Sequence, residues 1–439
     1  MGIGVSRRGS ALVVTAVVVA GCTGKSAAPE ATTPEPTVTY HHHVRPILES
    51  RCVGCHTAGG IGPFPLTTFE ETWHVRDLIL HSVVRRTMPP WPPAQGCTDY
   101  LGDPSLSDGQ IATIQRWVDG GGPAGTEVTT LSHATEPPRL SRVDLTLRMP
   151  VDYLPQQSPD DYRCFILDWP EDEVSYVSGF RAHPGNASVV HHVIAYSIPP
   201  QLVDDVLALD DADTAPGYEC FGGPGVMPRS VGARPGWLGA WAPGGQGSDY
   251  PAGTGVRVAP DSKVALQIHY NVSSGDGLDR TEVEFKLDSH VEREALVLPF
   301  ANPDWFRGVG MDIPAGGVDV MHTFAFDVTG FMSMLSEGHI PDGPVRVYSA
   351  ALHMHMLGRS GWIGIQRAGG EYECMLDIPR WDFHWQNSYG FVEPKTVHPG
   401  DLVNIECHWD NNAPDADDVR WGEGTGEEMC LGILYVTAP

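Results

Sequence analysis

The sequence predicts a multidomain protein in which a small all-α domain is followed by mainly antiparallel β-sandwiches. Its 439 residues exceed the usual size of one domain, and the hydrophobic content of 41% is enough for packed cores. The 50 glycines and 38 prolines suit short strands joined by turns. In the second half, alternating runs at residues 264–270, 346–350 and 402–407 predict strands. No regular helices separate such runs, so a parallel α/β sheet is disfavoured.

The N-terminus carries a predicted export signal over residues 1–21. Two arginines precede the apolar run 11–20, which is too short to span a bilayer as a mature helix. Small residues then precede Cys22, as in a lipobox, so we predict that Cys22 receives a lipid anchor. A plain secretory signal with an incidental cysteine is the alternative. We expect a membrane-anchored lipoprotein facing the periplasm or the cell surface, and Thr23 favours the outer membrane. Residues 22–40 predict a flexible linker.

The motif C-x-x-C-H at Cys52, Cys55 and His56 predicts a covalently bound haem c. Two thiols at this spacing can reach the two vinyl groups of haem, and the next imidazole can bind the iron. A zinc site or a thioredoxin-like pair is the competing interpretation. Zinc requires a second ligand pair at matching spacing, which does not follow, and export permits covalent haem attachment.

Met88 is the predicted sixth ligand of the haem iron. It lies in the run Met-Pro-Pro-Trp, where the prolines fix an extended loop that can hold a thioether over the haem. His74 and His81 are the alternatives, on a helix predicted over residues 69–86.

A final helix over residues 106–120, with Ser107 as its N-cap, completes the predicted all-α domain. The region 41–128 resembles the small cytochrome c domains of exported bacterial multidomain proteins. We interpret the three histidines 41–43 as the surface start of this domain and residues 129–145 as a second linker.

Histidines of the second half form two different patterns. His353 and His355 share one face of a strand because side chains alternate with a period of two, which gives a pair of metal ligands. The adjacent His191 and His192 would point apart on a regular strand, so a shared metal requires a distorted strand or an edge. His269 taken alone would be a structural histidine.

Several short motifs taken together resemble the copper type II, ascorbate-dependent monooxygenases, the family of dopamine β-monooxygenase and peptidylglycine α-hydroxylating monooxygenase. The resemblance covers about residues 146–439, and the motifs keep the family's order and approximate spacing. They are Asp161-Tyr162-Arg163-Cys164, Val190-His191-His192-Val193, Leu266-Gln267-Ile268-His269-Tyr270, His353-Met354-His355-Met356-Leu357-Gly358, Ile405-Glu406-Cys407 and Glu427-Glu428-Met429-Cys430.

The resemblance implies two jelly-roll-like β-sandwich domains, residues 146–300 and 301–439, each holding one copper ion across a solvent-filled cleft. It implies that the electron-transfer copper is bound by His191, His192 and His269. The catalytic copper, where dioxygen is activated, would be bound by His353, His355 and Met429. The implied reaction hydroxylates a C–H bond of a small molecule with dioxygen and two electrons.

The resemblance also implies disulfides between Cys407 and Cys430 and between Cys164 and Cys220. Cys97 and Cys374 have no counterpart in the family, and they either pair or both stay free.

Departures from the family pattern bear on the substrate and the electron donor. Residues 350–352 lack the arginine with which the peptide-amidating enzymes hold a carboxylate, and residues 431–433 lack polar side chains, so we expect an apolar substrate. We hypothesise that the fused haem replaces or supplements an ascorbate-like reductant or a periplasmic redox carrier and reduces the copper of His191, His192 and His269.

Two other functions remain as alternatives. One is a non-catalytic haem and copper electron-transfer lipoprotein, and the other is a structural sandwich that binds surface ligands. The net charge of −27 excludes nucleic acid as a partner.

Overall fold

The computed structural model describes residues 37–58, 62–127, 139–226, 234–242, 245, 247–272, 275–383 and 385–439. The predicted signal sequence and Cys22 lie outside these residues, as do most of the two predicted linkers. The chain divides into two compact units, residues 1–37 and 38–439, and all the elements below belong to the second unit. Each helix in the described part of the chain is too short or too polar to cross a membrane.

A small helical region with its own apolar core comes first. Val44, Leu48, Ile114 and Trp117 are almost fully buried in that core. A short π-helix, Tyr40–Val44, precedes the α-helices α1 (Arg45–Arg51), α2 (Phe69–His74), α3 (Arg76–Val84) and α4 (Asp108–Asp119).

The start of α4 agrees with the sequence, but the helix predicted over residues 69–86 is divided in two. Ser107 and Gln110 form a capping box at the start of α4. The division lies at Val75, whose backbone is not helical. The Arg76 side chain donates to the Trp73 carbonyl oxygen at 2.8 Å, one of the carbonyls that the end of α2 leaves without a helical N–H.

The first part of the β region packs two sheets face to face. A five-stranded sheet has the order β5-β2-β9-β4-β6 among the described residues, and it packs against the strand order β1-β10-β3-β8, with β7 also paired to β3. One helix, α5 (Pro200–Ala212), follows β4. The strands are β1 (Leu145–Arg148), β2 (Asp160–Asp168), β3 (Ser175–His183), β4 (Val190–Ile198), β5 (Tyr218–Glu219), β6 (Gly236–Trp241), β7 (Ser248–Asp249), β8 (Thr254–Val258), β9 (Lys263–Asn271) and β10 (Glu282–Asp288).

The second part repeats this arrangement. A four-stranded sheet, β12-β17-β14-β15, packs against the strand order β11-β18-β13-β16. The 3-10 turns Trp305–Arg307 and Val328–Gly330 and the helix α6 (Met332–Leu335) lie between strands. The strands are β11 (Arg293–Phe300), β12 (Gly317–Phe326), β13 (Val345–His353), β14 (Gly358–Gln366), β15 (Tyr372–Ile378), β16 (Ser388–Val397), β17 (Leu402–Asn411) and β18 (Leu431–Thr437).

One continuous sheet joins the two sandwiches. Strands β8 and β11 pair in parallel, while the other ladders between the described strands are antiparallel. The prediction of mainly antiparallel β-sandwiches is therefore confirmed. The three strands expected from the sequence all form, within β9, β13 and β17. The predicted domain boundary at residue 300 falls at the end of β11, inside the shared sheet.

The segment that follows α3 is attached to the second sandwich. Cys97 and Cys374, whose pairing the sequence left open, form a disulfide. The backbone N–H of Leu101 donates to the Gly390 carbonyl oxygen at 2.7 Å, and that of Ala94 donates to the Asp377 carbonyl oxygen at 2.8 Å. The ring of Trp91 meets that of Tyr389 edge-on at 5.1 Å between centroids. The helical region is thus docked on β15 and β16.

Candidate metal centres

A β-bulge brings His191 and His192 to one site. The pairing of β4 with β9 shifts register between Val190, opposite Tyr270, and His192, opposite His269. An extra residue in a strand increases the local twist and redirects side chains, which supplies the distortion that adjacent ligands require. As a result, ligand nitrogens of His191, His192 and His269 all lie within 4.8 Å of one another.

His269 is oriented from two sides. Its Nε2–H donates to Oδ1 of Asp160 at 2.9 Å, and its ring stacks on Tyr162 with 4.1 Å between centroids. An ionised carboxylate only accepts hydrogen bonds, so Nε2 carries the proton and Nδ1 presents its lone pair. This Nδ1 lies 3.2 Å from Nδ1 of His192.

His353 ends β13, and His355 follows two residues later with its ring turned to the same side. The Nδ1–H of His353 donates to Oε1 of Gln386 at 2.5 Å, and the Gln386 amide donates in turn to the Phe383 carbonyl oxygen. The Nδ1–H of His355 donates to the Glu427 carbonyl oxygen at 3.0 Å. Both rings therefore present Nε2 lone pairs, and these two atoms are 3.2 Å apart.

The spacing of these nitrogens fits a bound metal ion. Two imidazole nitrogens about 2.0 Å from one ion, at a tetrahedral angle, lie about 3.3 Å apart. The lone pairs of His353 and His355 repel each other at the observed distance unless a cation lies between them. Imidazole is a good ligand for copper in both of its common oxidation states. The donor set of each site therefore fits copper.

Met429 is held next to the second pair by one carboxylate. Strand β18 begins at Leu431, opposite His353 on β13, so Met429 lies just before that point. Oε2 of the buried Glu428 accepts the backbone N–H of His355 at 2.8 Å and that of Met429 at 3.3 Å. A thioether added to two imidazoles favours Cu(I).

The two histidine sets adjoin each other, which corrects the expectation of an open cleft between them. The ring centroids of His192 and His353 are 6.3 Å apart. Phe383, in the loop between β15 and β16, stacks on His191 at 4.5 Å and meets His355 edge-on at 6.1 Å. The loop closes the space because burying an aromatic face against imidazoles removes apolar surface from water.

Burial keeps four of the site imidazoles neutral, those of His192, His269, His353 and His355. It lowers the pKa of His353 to about 4 and that of His355 to about 3. Burial also lowers the pKa of His192 and that of His269. At neutral pH the rings therefore offer lone pairs and not positive charges.

The region around His56 has features that suit haem c. The thiols of Cys52 and Cys55 are both free. The Nδ1–H of His56 donates to the Phe64 carbonyl oxygen at 2.9 Å, which leaves the Nε2 lone pair for a metal ion. A Cβ at Gly62 would lie 2.8 Å from Nδ1 of His56, so the absence of a side chain there leaves room for the ring.

The predicted sixth ligand lies in the turn region after α3. Met88 is 43% exposed, and its alternatives His74 and His81 are exposed as well. Because all three side chains are accessible, the choice among them stays a prediction.

Disulfides flank both histidine sets. Cys164 on β2 is bonded to Cys220, and Cys407 on β17 is bonded to Cys430, which follows Met429 directly. These are the pairings that the resemblance implies.

Sequence reasoning missed three residues of the sites, namely Asp160, Gln386 and Glu428. Asp160 shares a strand face with Tyr162, and Glu428 precedes a predicted ligand, so both positions carried a signal. Gln386 lies in an irregular loop, where no periodicity indicates which way a side chain points.

Comparisons with known proteins agree with this geometry. The sequence profile "Copper type II ascorbate-dependent monooxygenase, N-terminal domain" matches residues 145–276, and the profile of the C-terminal domain matches residues 320–437. "DBH-like monooxygenase protein 1" of Gallus gallus is 29% identical over 266 residues, covering 56% of this chain and 39% of that protein. "Dopamine beta-hydroxylase" of Homo sapiens is 23% identical over 297 residues, covering 62% and 43%.

The chain spans about two fifths of the length of the curated relatives it matches. The matched segments contain the five histidines of the two sites and Met429. With both domains of the family present in order, the chain belongs to the copper type II, ascorbate-dependent monooxygenase family.

Proposed function

We propose that this protein is a copper monooxygenase that hydroxylates a C–H bond of a small, apolar substrate with dioxygen. The observation that carries the proposal is the convergence of two sets of imidazole nitrogens, each pair spaced for one metal ion. His191, His192 and His269 hold an electron-transfer copper, and His353, His355 and Met429 hold the catalytic copper. Bound copper supplies one-electron redox chemistry and the activation of dioxygen.

The protein's own groups prepare both sites for that chemistry. Asp160 and Gln386 fix the tautomers of His269 and His353, so the lone pairs face inward before a metal binds. Phe383 contacts both sets, stacking on His191 and meeting His355 edge-on, and so reduces their exposure to water.

An apolar substrate agrees with the side chains around the second site. Ala351 on β13 is buried and shares the strand face of His353, within the stretch 350–352 where the peptide-amidating relatives carry a carboxylate-binding arginine. Leu431 and Ile433 on β18 lie opposite His353 and Ala351 and add apolar surface. A buried carboxylate of a substrate would find no cationic partner in these positions.

We also propose that haem c bound at Cys52, Cys55 and His56, with Met88 as the sixth ligand, supplies electrons to the copper of the first histidine set. The loop between β15 and β16 supports this route. At one end Arg380 donates to the Arg86 carbonyl oxygen at 3.4 Å, and further on Phe383 stacks on His191. An ascorbate-like reductant or a periplasmic redox carrier would be the external donor.

The three disulfides agree with export to an oxidising compartment. We propose that the protein is a lipoprotein anchored through Cys22. Labelling with a radioactive fatty acid tests this point, with Cys22→Ser as the unlabelled control.

The experiment that tests the function is metal analysis of protein exported behind a cleavable signal sequence without a lipobox, combined with a spectrum of the reduced haem. One haem iron and two coppers, with one copper lost in His353→Ala, support the monooxygenase. Haem without copper overturns it. Two coppers without substrate oxidation, in a screen of apolar and benzylic compounds with a reductant, support the electron-transfer alternative. If the copper of the Met88→Ala variant is reduced at the full rate with ascorbate alone, the haem is not the obligatory electron donor.

A further inference from the structure

One carboxylate connects the two histidine sets. Asp160 begins β2 in the first sandwich, and its Oδ1 accepts hydrogen bonds from Nε2 of His269 at 2.9 Å and from Nδ2 of Asn271 at 3.0 Å. The same Oδ1 accepts the hydroxyl of Thr425 at 2.6 Å, and Oδ2 accepts the Thr425 backbone N–H at 3.0 Å. Thr425 belongs to the second sandwich and lies four residues before Met429.

Further contacts hold the same loop to the first sandwich. Tyr162, which stacks on His269, donates its hydroxyl to the Glu423 carbonyl oxygen at 2.6 Å. The backbone N–H of Gly222 donates to the Glu423 carboxylate at 2.5 Å. Strand β2, which orients His269, therefore also binds the loop of residues 421–428 that leads into Met429.

We propose that Asp160 is a positioning residue that couples the two copper sites. The inference rests on the proposed two-copper function and names a regulation of that function. A cation at Nδ1 of His269 makes the Nε2–H more acidic and shortens its hydrogen bond to Asp160. The stronger bond holds the Asp160 carboxylate in the orientation in which its two oxygens also accept the hydroxyl and the backbone N–H of Thr425, so the loop opens less readily when the first site is filled.

Filling the first site therefore stabilises the loop that presents Met429. By linkage, a filled second site also raises the affinity of the first. The coupling passes through hydrogen bonds of one side chain, so it can be cut at either end without removing any proposed copper ligand.

Two substitutions interrupt this connection, Asp160→Asn at its His269 end and Thr425→Val at its loop end. Asp160→Asn weakens the bond to His269 and lowers the copper affinity of the first site by about 10- to 100-fold, the usual cost of losing such a partner. Thr425→Val keeps the bond between Asp160 and His269, so the affinity of the first site changes far less. Asp168→Asn, at the exposed end of β2, and Thr323→Val, on β12, are the matched controls.

The measurement is hydrogen exchange of residues 421–428 in metal-free protein and in protein with only the first site filled, prepared in a His353→Ala background. Copper slows exchange of this loop in the parent and in both controls. The slowing is lost in Asp160→Asn and reduced in Thr425→Val. Equal slowing in all variants overturns the inference and leaves the proposed function intact. A wild-type protein that binds no copper overturns the proposed function and the inference together.

Discussion

The imidazole rings of His192 and His353 belong to different sandwiches, and their centroids lie 6.3 Å apart. The five site histidines thus form one contiguous group, in which His269 and His355 are buried and the other three are half-buried. We expect two bound Cu(II) ions to interact magnetically. The electron paramagnetic resonance spectrum of the oxidised protein should show dipolar broadening, and His353→Ala should give a sharp one-copper spectrum. A wild-type spectrum equal to the sum of two isolated sites would contradict this arrangement.

Met429 and Met354 provide a matched pair of thioethers. Both are buried, but Met354 packs in the core of the second sandwich, whereas the backbone N–H of Met429 shares its acceptor, the Glu428 carboxylate, with that of His355. We expect Met429→Leu to lose the Cu(I) of the second site and to keep the copper of the first, since leucine fills the volume without a soft ligand. Met354→Leu should keep both. Chelator competition under reducing conditions measures the Cu(I) affinity of each site. An equal loss of affinity in Met429→Leu and Met354→Leu would exclude Met429 as a ligand.

Gln386 determines which nitrogen of His353 is free. Gln386→Leu leaves the His353 Nδ1–H without its acceptor, so we expect the copper affinity of the second site to fall by about 10- to 100-fold. Gln386→Glu retains an acceptor and should restore most of the affinity. Copper titration monitored by X-ray absorption measures the affinity of the second site. An unchanged affinity in Gln386→Leu would show that the His353 ring is held by packing alone.

Glu423 makes the stability of the interface between the sandwiches depend on pH. Burial raises the pKa of its carboxyl from 4.5 to about 7. Between these values the folded protein holds a proton on Glu423 that the unfolded chain releases, so the contribution of this carboxyl to stability is greatest below pH 4.5 and falls as pH rises through this window, by roughly 3 kcal/mol at most. Burial raises the pKa of Glu428 to about 7 as well, so we expect Glu423→Gln to reduce the slope of thermal stability between pH 5 and pH 7 without removing it. The exposed Glu393→Gln serves as control and should keep the wild-type slope.

The disulfide between Cys97 and Cys374 fastens the helical region to the second sandwich. We expect the double variant Cys97→Ser, Cys374→Ser to lose about 2–4 kcal/mol of the free energy that opposes opening of the docked segment, residues 91–101. Hydrogen exchange of residues 91–101 should speed up, while exchange in α4 stays the same. Unchanged exchange at Leu101, whose amide donates to Gly390, would show that the backbone contacts suffice.

The sequence anticipated the histidines far better than the groups that orient them. The His-x-His pair was predicted from strand alternation, but β13 ends at His353 and His355 lies just beyond it, with its Nε2 still 3.2 Å from that of His353. A regular strand would point the adjacent His191 and His192 apart, an objection to a shared metal that only a distorted strand or an edge can meet. The bulge in β4 removes this objection, and a bulge arises from pairing with β9, which local sequence does not encode.

Local pattern alone thus determined the strands, the C-x-x-C-H motif, the capping box of α4 and the residue types able to bind copper, because periodicity and chemistry act over a few residues. Tertiary structure decided the rest. It joined Cys97 to Cys374, brought Thr425 to Asp160, and placed Phe383 against His191 where an open cleft was expected. Those contacts join residues distant in sequence, and they form only because the shared sheet aligns both sandwiches and buries the rings and carboxylates between them.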